Sequence, residues 1–358
     1  MTRPARACIH LSALQHNFKR VKQAAPDSKV MAIIKADAYG HGLLPVAQSL
    51  SAADAFGVAS IEEAITLREA GFDRRIVLLE GAFAADELIL IGGYRVDMVV
   101  HHQSQLQMLA QARLSHPVDV WLKLDTGMHR LGFPAATAAG VLEQLQGLAQ
   151  VGSVYLMSHL ACADDTDNPY TDAQLHSFRD ATSSLPGETT LANSAAILAW
   201  PDACLDWVRP GIMLYGGSPL AGKTAQQLDL QPVMTLETRL IAVNEHRQGD
   251  AIGYGGDWVC PESMKIGVAA IGYGDGYSRQ LPSGTPVRVA GQPAALAGRV
   301  SMDMICIDLR AVPMAAVGDS VTLWGDGLPV DEIAAAANTI AYELLCGVSQ
   351  RVQRQYID

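Results

Sequence analysis

The chain has 358 residues, of which 49% are hydrophobic and 18% charged, and its formal net charge at pH 7 is −11. That length points to two domains with ample core. The acidic balance excludes nucleic acid as a partner, because phosphate binding needs clustered Lys and Arg, whereas a small anionic ligand needs only a few local arginines.

The N-terminus, Met1-Thr2-Arg3-Pro4-Ala5-Arg6-Ala7-Cys8, carries early arginines but no long apolar stretch. It does not read as a signal peptide. No apolar run approaches the ~18 residues of a membrane span, so a cytoplasmic location is the expectation. Cys8, Cys162, Cys204, Cys260, Cys306 and Cys346 are widely spaced, with no C-x-x-C and no H-E-x-x-H. They read as reduced thiols, and no metal site is expected.

Cys8–Leu11 has the look of a short strand. From there to about residue 215, β-like runs alternate with stretches of helical length and period. The expected strands are Lys29–Ile34, Ala55–Ala59, Ile76–Leu79, Asp97–Val100, Val118–Leu124, Ser153–Met157, Thr189–Ala192 and Trp207–Arg209. Helical patterns between them include Ile61–Ala70, stopped by Gly71, and Ser104–Leu114. Such alternation suits a (β/α)8 barrel, and an open doubly wound sheet shares it.

The polar residues favour the barrel. Lys35 follows the first run, Lys123 and Arg130 lie at and after the fifth, and His159 follows the sixth. Asn193 and Ser194 follow the seventh, and Arg209-Pro210-Gly211-Ile212 the eighth. All fall at strand carboxyl ends, where barrel active sites form, and phosphate sites favour the last two loops.

After about residue 230 the texture becomes short runs between Gly- and Pro-rich turns: Thr235–Asn244, Ala251–Gly255, Lys265–Gly272, Pro286–Ala290, Met304–Leu309 and Ser320–Trp324. This reads as a smaller, mainly β domain. Gly216–Leu230 is the expected linker, and a helix near Val330–Asn338 precedes a final run to Tyr356. The expected division is an N-terminal strand, 1–11, a barrel, 12–230, and a mainly β domain, 231–358.

Lys35 ends the apolar run Val30–Ile34 and opens Ala36-Asp37-Ala38-Tyr39-Gly40-His41-Gly42, which reads as a loop. Partial desolvation at a barrel mouth lowers a lysine's pKa and frees its amine for covalent chemistry. A lysine also commonly marks where a buried strand reaches water.

The segment from Ile34 to Gly42 resembles the cofactor-lysine signature of the alanine racemases, which use pyridoxal 5'-phosphate. The resemblance continues in order through Lys123–Arg130, Ser158-His159, Asn193-Ser194, Arg209–Ile212, Gly253-Tyr254-Gly255 and Gly298–Asp303. It implies a homodimer acting on alanine, with a barrel and a β domain, and it implies that the strand at Cys8 joins the C-terminal sheet.

The resemblance implies two catalytic residues. Lys35 holds the cofactor and exchanges the Cα proton on one face, and Tyr254, entering from the partner subunit, serves the other. A free tyrosine titrates near ~10, so a charged network must lower it, and His159 and Arg209 are the candidates. Arg209 is expected at the pyridine nitrogen, where a group with a pKa above ~12 keeps its proton. Arg130 is expected at the cofactor oxygen and the substrate carboxylate.

Lys123 lies in an apolar strand, where a charge is costly unless paired or modified. The resemblance implies a carbamylated lysine there. Tyr39, Asn193, Ser194, Gly211 and Ile212 complete the expected cofactor site. Met302 is expected to bind substrate from the partner, and Tyr273, Arg279 and Arg299 to wall the substrate entrance. One departure stands out: many relatives carry a tyrosine near the C-terminus that helps hold the cofactor phosphate, and Gln350 occupies the corresponding place.

The reaction implied is interconversion of L- and D-alanine, serving peptidoglycan synthesis or alanine catabolism. A racemase of broader substrate range on the same scaffold is the alternative. A decarboxylase of this architecture needs a carboxylate at the ring nitrogen, against which Arg209 argues. A cofactor-carrier protein built from the barrel alone lacks the β domain.

Overall fold

The computed structural model describes residues 3–358. Eight parallel strands close into a barrel: Lys29–Ile33, Ala55–Val58, Arg75–Leu78, Asp97–Val100, Val118–Asp125, Val151–Met157, Thr189–Thr190 and Trp207–Val208. Each pairs with the next, and the cylinder closes where Trp207 and Val208 pair with Lys29 and Val30. Strands buried on both faces read as unbroken apolar runs. Ala55–Val58 and Asp97–Val100 are buried at every position.

The expected strand ends shift by a few residues, and the seventh and eighth strands are the shortest. Thr189–Thr190 and Trp207–Val208 end shortly before Asn193 and Arg209, which lie in the loops that carry the site. Ile61–Glu69 shows why the helical segments end where they do. Ser60 accepts from the Glu63 N–H, the Glu63 carboxylate accepts from the Ala59 N–H at 2.9 Å, and Gly71 closes the helix at φ +87°.

At the amino end of the barrel, Arg75 pairs with Asp97 at 2.9 Å and with Asp119 at 3.0 Å, and lies over the Tyr155 ring. Polar groups at this end of a barrel serve stability.

The C-terminal unit is an eight-stranded sheet in which Arg6–His10 lies between Met234–His246 and Gln353–Ile357. The sheet includes Gln292–Leu296, which is not among the expected runs, and the turn before it holds Gly291 at φ +75°. The run expected over Ala251–Gly255 ends at Ile252, because Gly253 takes φ +74° and starts a turn. The run expected to Gly272 ends at Ala269. Among the described residues, no helix is long and apolar enough to cross a membrane.

Candidate active site

A cavity of about 570 Å³ opens at the carboxyl ends of the barrel strands. Lys35, Tyr39, Lys123, Arg130, His159, Asn193, Ser194, Arg209, Gly211 and Ile212 all line it. Each of these is an expected site residue. Glu80, Leu131, Met157 and Tyr342 line it too and are not among those the sequence singles out.

Lys35 does not open an irregular loop. Ala36, Asp37, Ala38 and Tyr39 form one left-handed helical turn, with φ of 55°, 52°, 53° and 53°. For non-glycine residues this conformation costs about 1–2 kcal/mol each, so the surroundings must hold it. The Ala38 N–H donates to the Ile34 carbonyl at 2.9 Å, and the Leu43 N–H donates to the Asp37 carboxylate at 2.8 Å. Buried His41 donates through Nδ1 to the Tyr39 carbonyl at 2.9 Å. From the last strand, Arg354 donates to the Gly40 carbonyl at 2.7 Å.

Tyr39 stacks on Tyr215 with ring centroids 4.6 Å apart. Its hydroxyl sits where a Cβ on residue 211 would come within 2.5 Å, so any side chain there would displace the Tyr39 ring from its stack. The Gly211 N–H donates to the Ser194 hydroxyl at 2.8 Å. Asn193 caps the short helix Ser194–Ala199 through the Ala196 N–H.

The fifth strand brings Lys123 and Arg130 together by folding its loop back. Asp125 accepts from the Gly127 and His129 N–H groups, each at 3.0 Å, and Phe133 then pairs beside Leu124. Lys123 is buried, and its pKa falls to about 8 through burial and the nearby charges of Arg209, Arg130 and Lys35. Arg209 is buried and donates to the Thr190 hydroxyl, the Ser158 and Leu191 carbonyls and Nδ1 of His159. Burial lowers it to about 10, so it stays cationic at neutral pH. Burial and the same group of cations hold His159 well below its ordinary value.

Four cationic side chains thus face a cavity whose lining holds one carboxylate, that of Glu80. Such a site is electrostatically unsatisfied without an anion. A phosphate held by Tyr39, Ser194, Gly211 and Ile212, and a phenolic oxygen facing Arg130, would supply that charge. The residues fit pyridoxal phosphate.

The C-terminal residues lie elsewhere. Tyr254, Tyr273, Met302, Arg279 and Arg299 are not in the cavity lining. Tyr254 is 68% exposed and Met302 52% exposed on the β domain. Gln350 is exposed in a turn and does not line the cavity. The C-terminal tyrosine at the cavity is Tyr342, on the helix Ala341–Cys346 that packs against the Lys35 turn. The expected departure at Gln350 is therefore a matter of register. Its sequence signal is a tyrosine opening a short helix in Thr339-Ile340-Ala341-Tyr342.

Residues 9–219 match the alanine racemase N-terminal domain, and residues 233–356 match the alanine racemase C-terminal domain. A curated alanine racemase of Thioalkalivibrio sulfidiphilus is 57% identical over 100% of both chains. One from Halorhodospira halophila is 49% identical over 100% of this chain and 99% of its own. The biosynthetic alanine racemase structure from Pseudomonas aeruginosa superposes with a TM-score of 0.97 at 46% identity, covering 100% of each chain. With barrel, β domain and cationic cavity all in place, the chain belongs to the alanine racemase family, the pyridoxal-phosphate-dependent isomerases that interconvert L- and D-alanine.

Proposed function

We propose that the working enzyme is a homodimer in which Lys35 of one protomer and Tyr254 of its partner exchange the Cα proton of alanine on opposite faces. One observation carries this reading: Tyr254 stands exposed on the β domain, outside the cavity that holds Lys35. A base that is absent from its own chain's cavity needs a second copy to deliver it.

Pyridoxal phosphate, when bound, supplies the electron sink that makes the Cα proton removable. Lys35 carries the cofactor and returns as the base on its own face. Tyr39, Ser194, Gly211, Ile212 and Tyr342 hold the phosphate, and Asn193 fixes the turn beside them. Arg209 donates to the ring nitrogen and keeps that atom unprotonated, which restrains side reactions. Arg130 grips the substrate carboxylate with its planar fork.

Lys123, as a carbamate, orients Arg130. The partner's Met302 peptide binds the same carboxylate, while Tyr273, Arg279 and Arg299 narrow the entrance toward small amino acids. We take the barrel unit as 12–230 and the mainly β unit as 231–358. The enzyme is cytoplasmic and supplies D-alanine for peptidoglycan or serves alanine catabolism.

Mixing Lys35→Ala with Tyr254→Phe tests the reading. Each variant alone is inactive. Random pairing gives half heterodimers with one intact site each, so the mixture recovers about a quarter of wild-type activity. A mixture as inactive as its parts would sink the shared site. In D2O, Tyr254→Phe should wash deuterium into Cα of one enantiomer without inverting it.

A further inference from the structure

The Tyr273 turn and the Met302 segment are one hydrogen-bonded unit. The Tyr273 N–H donates to the Ser301 carbonyl at 3.0 Å, and the Gly274 N–H donates to the Met302 carbonyl at 2.9 Å. Gly272 lies so close that a Cβ there would come within 2.1 Å of the Ser301 oxygen. At the centre of this unit is Asp275, whose side chain has no exposure at all.

Asp275 accepts from Arg3 at 2.7 Å and from the Gly272 N–H at 3.0 Å, and Arg351 Nε lies 3.3 Å from its other oxygen. Both arginines also reach the Met302 segment. Arg3 donates to the Asp303 carbonyl at 3.3 Å, and Arg351 pairs with the Asp303 carboxylate. A buried carboxylate between two arginines carries a large desolvation cost and fixes geometry in return. The Tyr254 turn is tied to the same segment at one remove, through the ion pair of Arg299, three residues before Met302, with Asp257.

We propose that Asp275, gripped by Arg3 and Arg351, is a positioning residue that sets the Met302 peptide and the Tyr273 ring for the site of the partner protomer. This rests on the reading that these groups cross between subunits. The network bonds directly to the carboxylate-binding peptide, and reaches the second base only through Arg299. It therefore governs how well alanine binds, and leaves proton transfer largely alone.

The test is the split between KM and kcat in the holoenzyme. Asp275→Asn should raise the KM for alanine about tenfold while kcat stays within about twofold. Arg351→Gln, at a half-exposed side chain that folding tolerates, should do the same, and Arg351→Lys should recover most of the loss. A merely destabilised fold would lower kcat by losing active sites and leave KM alone, which would overturn the proposal, as would an unchanged KM in both variants.

A heterodimer then locates the effect. Asp275→Asn is paired with an excess of Lys35→Ala, so the only working lysine sits on the Asp275→Asn chain and faces an intact Asp275 on the other. A wild-type KM supports positioning across the interface, whereas a raised KM overturns it. The Lys35→Ala and Tyr254→Phe mixture tests the shared site independently, so its failure is told apart from that of the network.

Discussion

Arg209 donates a guanidinium N–H to Nδ1 of His159 at 3.2 Å. That contact makes Nδ1 an acceptor, so the ring is neutral and its proton sits on Nε2. The same arginine depresses Lys123. Both shifts have burial as their largest cause and the charge of Arg209 as the next. Arg209→Gln removes a cation and keeps the burial. Lys123 and His159 should then each hold their proton to higher pH, because a close like charge is gone. NMR titration of the His159 ring and of labelled Lys123 reads this, and unmoved titrations would refute the coupling.

His41 is fully buried beneath the Lys35 turn, and its pKa falls to about 4 because burial disfavours the charged ring. In the unfolded chain a histidine titrates near ~6.5. Between those values the unfolded state binds more protons than the folded one. Stability therefore falls as pH drops from about 6.5 toward 4, by about 1.4 kcal/mol per pH unit for this residue. His41→Gln should be flatter over that window by this amount, whatever its absolute stability. Urea unfolding at several pH values measures the difference, and parallel curves would count against it.

Period and position make much of this legible in the sequence. Asp97–Val100 and Ser320–Trp324 match the expected runs end to end, because each is a clean apolar or alternating stretch between turn residues. Gln292–Leu296 escapes a sequence reading because Gln-Pro-Ala-Ala-Leu carries neither β-branched residues nor strong alternation, and its pairing to Pro286–Val289 is tertiary. The turn after Lys35 reads as a loop because two alanines, an aspartate and a tyrosine carry no local mark of left-handed backbone. Beyond its local hydrogen bonds, that conformation is held by Arg354 and the helix Ala341–Cys346, which pack on it from the far end of the sequence. Tyr342 is hidden for the same reason: its place at the cavity depends on that docking, whereas Arg209 and His159 are placed by their own strands.

Lys123 should take up carbon dioxide in a pH-dependent way. Only the neutral amine attacks carbon dioxide; the new N–C bond forms as one proton leaves the nitrogen. With a pKa lowered to about 8, about a tenth of the amine is neutral at pH 7 and about nine-tenths at pH 9. The product exchanges a cation for an anion among Arg209, Arg130 and Lys35, which favours it. Protein equilibrated with 13C-bicarbonate should show a carbamate carbonyl resonance that grows from pH 6.5 to about 8.5 and vanishes in Lys123→Gln. No resonance at any pH, with full activity in Lys123→Gln, would leave this lysine without the role proposed for it.

The left-handed turn makes opposite predictions for two neighbouring substitutions. Ala36 is exposed and sits at φ 55°. Glycine there relieves about 1–2 kcal/mol of backbone cost and gives back about 0.5–1 kcal/mol through unfolded-state entropy. Ala36→Gly should therefore leave stability unchanged or raise it by about 1 kcal/mol, where the same change inside an ordinary helix destabilises. Gly40 is at φ +78°, and a Cβ there would lie 2.3 Å from the Leu345 carbonyl oxygen. Gly40→Ala must push the helix Ala341–Cys346 away, carrying Tyr342 out of the cavity. It should cost about 2 kcal/mol or more and weaken cofactor binding, read by equilibrium dialysis of pyridoxal phosphate. A Gly40→Ala protein with wild-type stability and affinity would show that the turn and the C-terminal helix are not coupled.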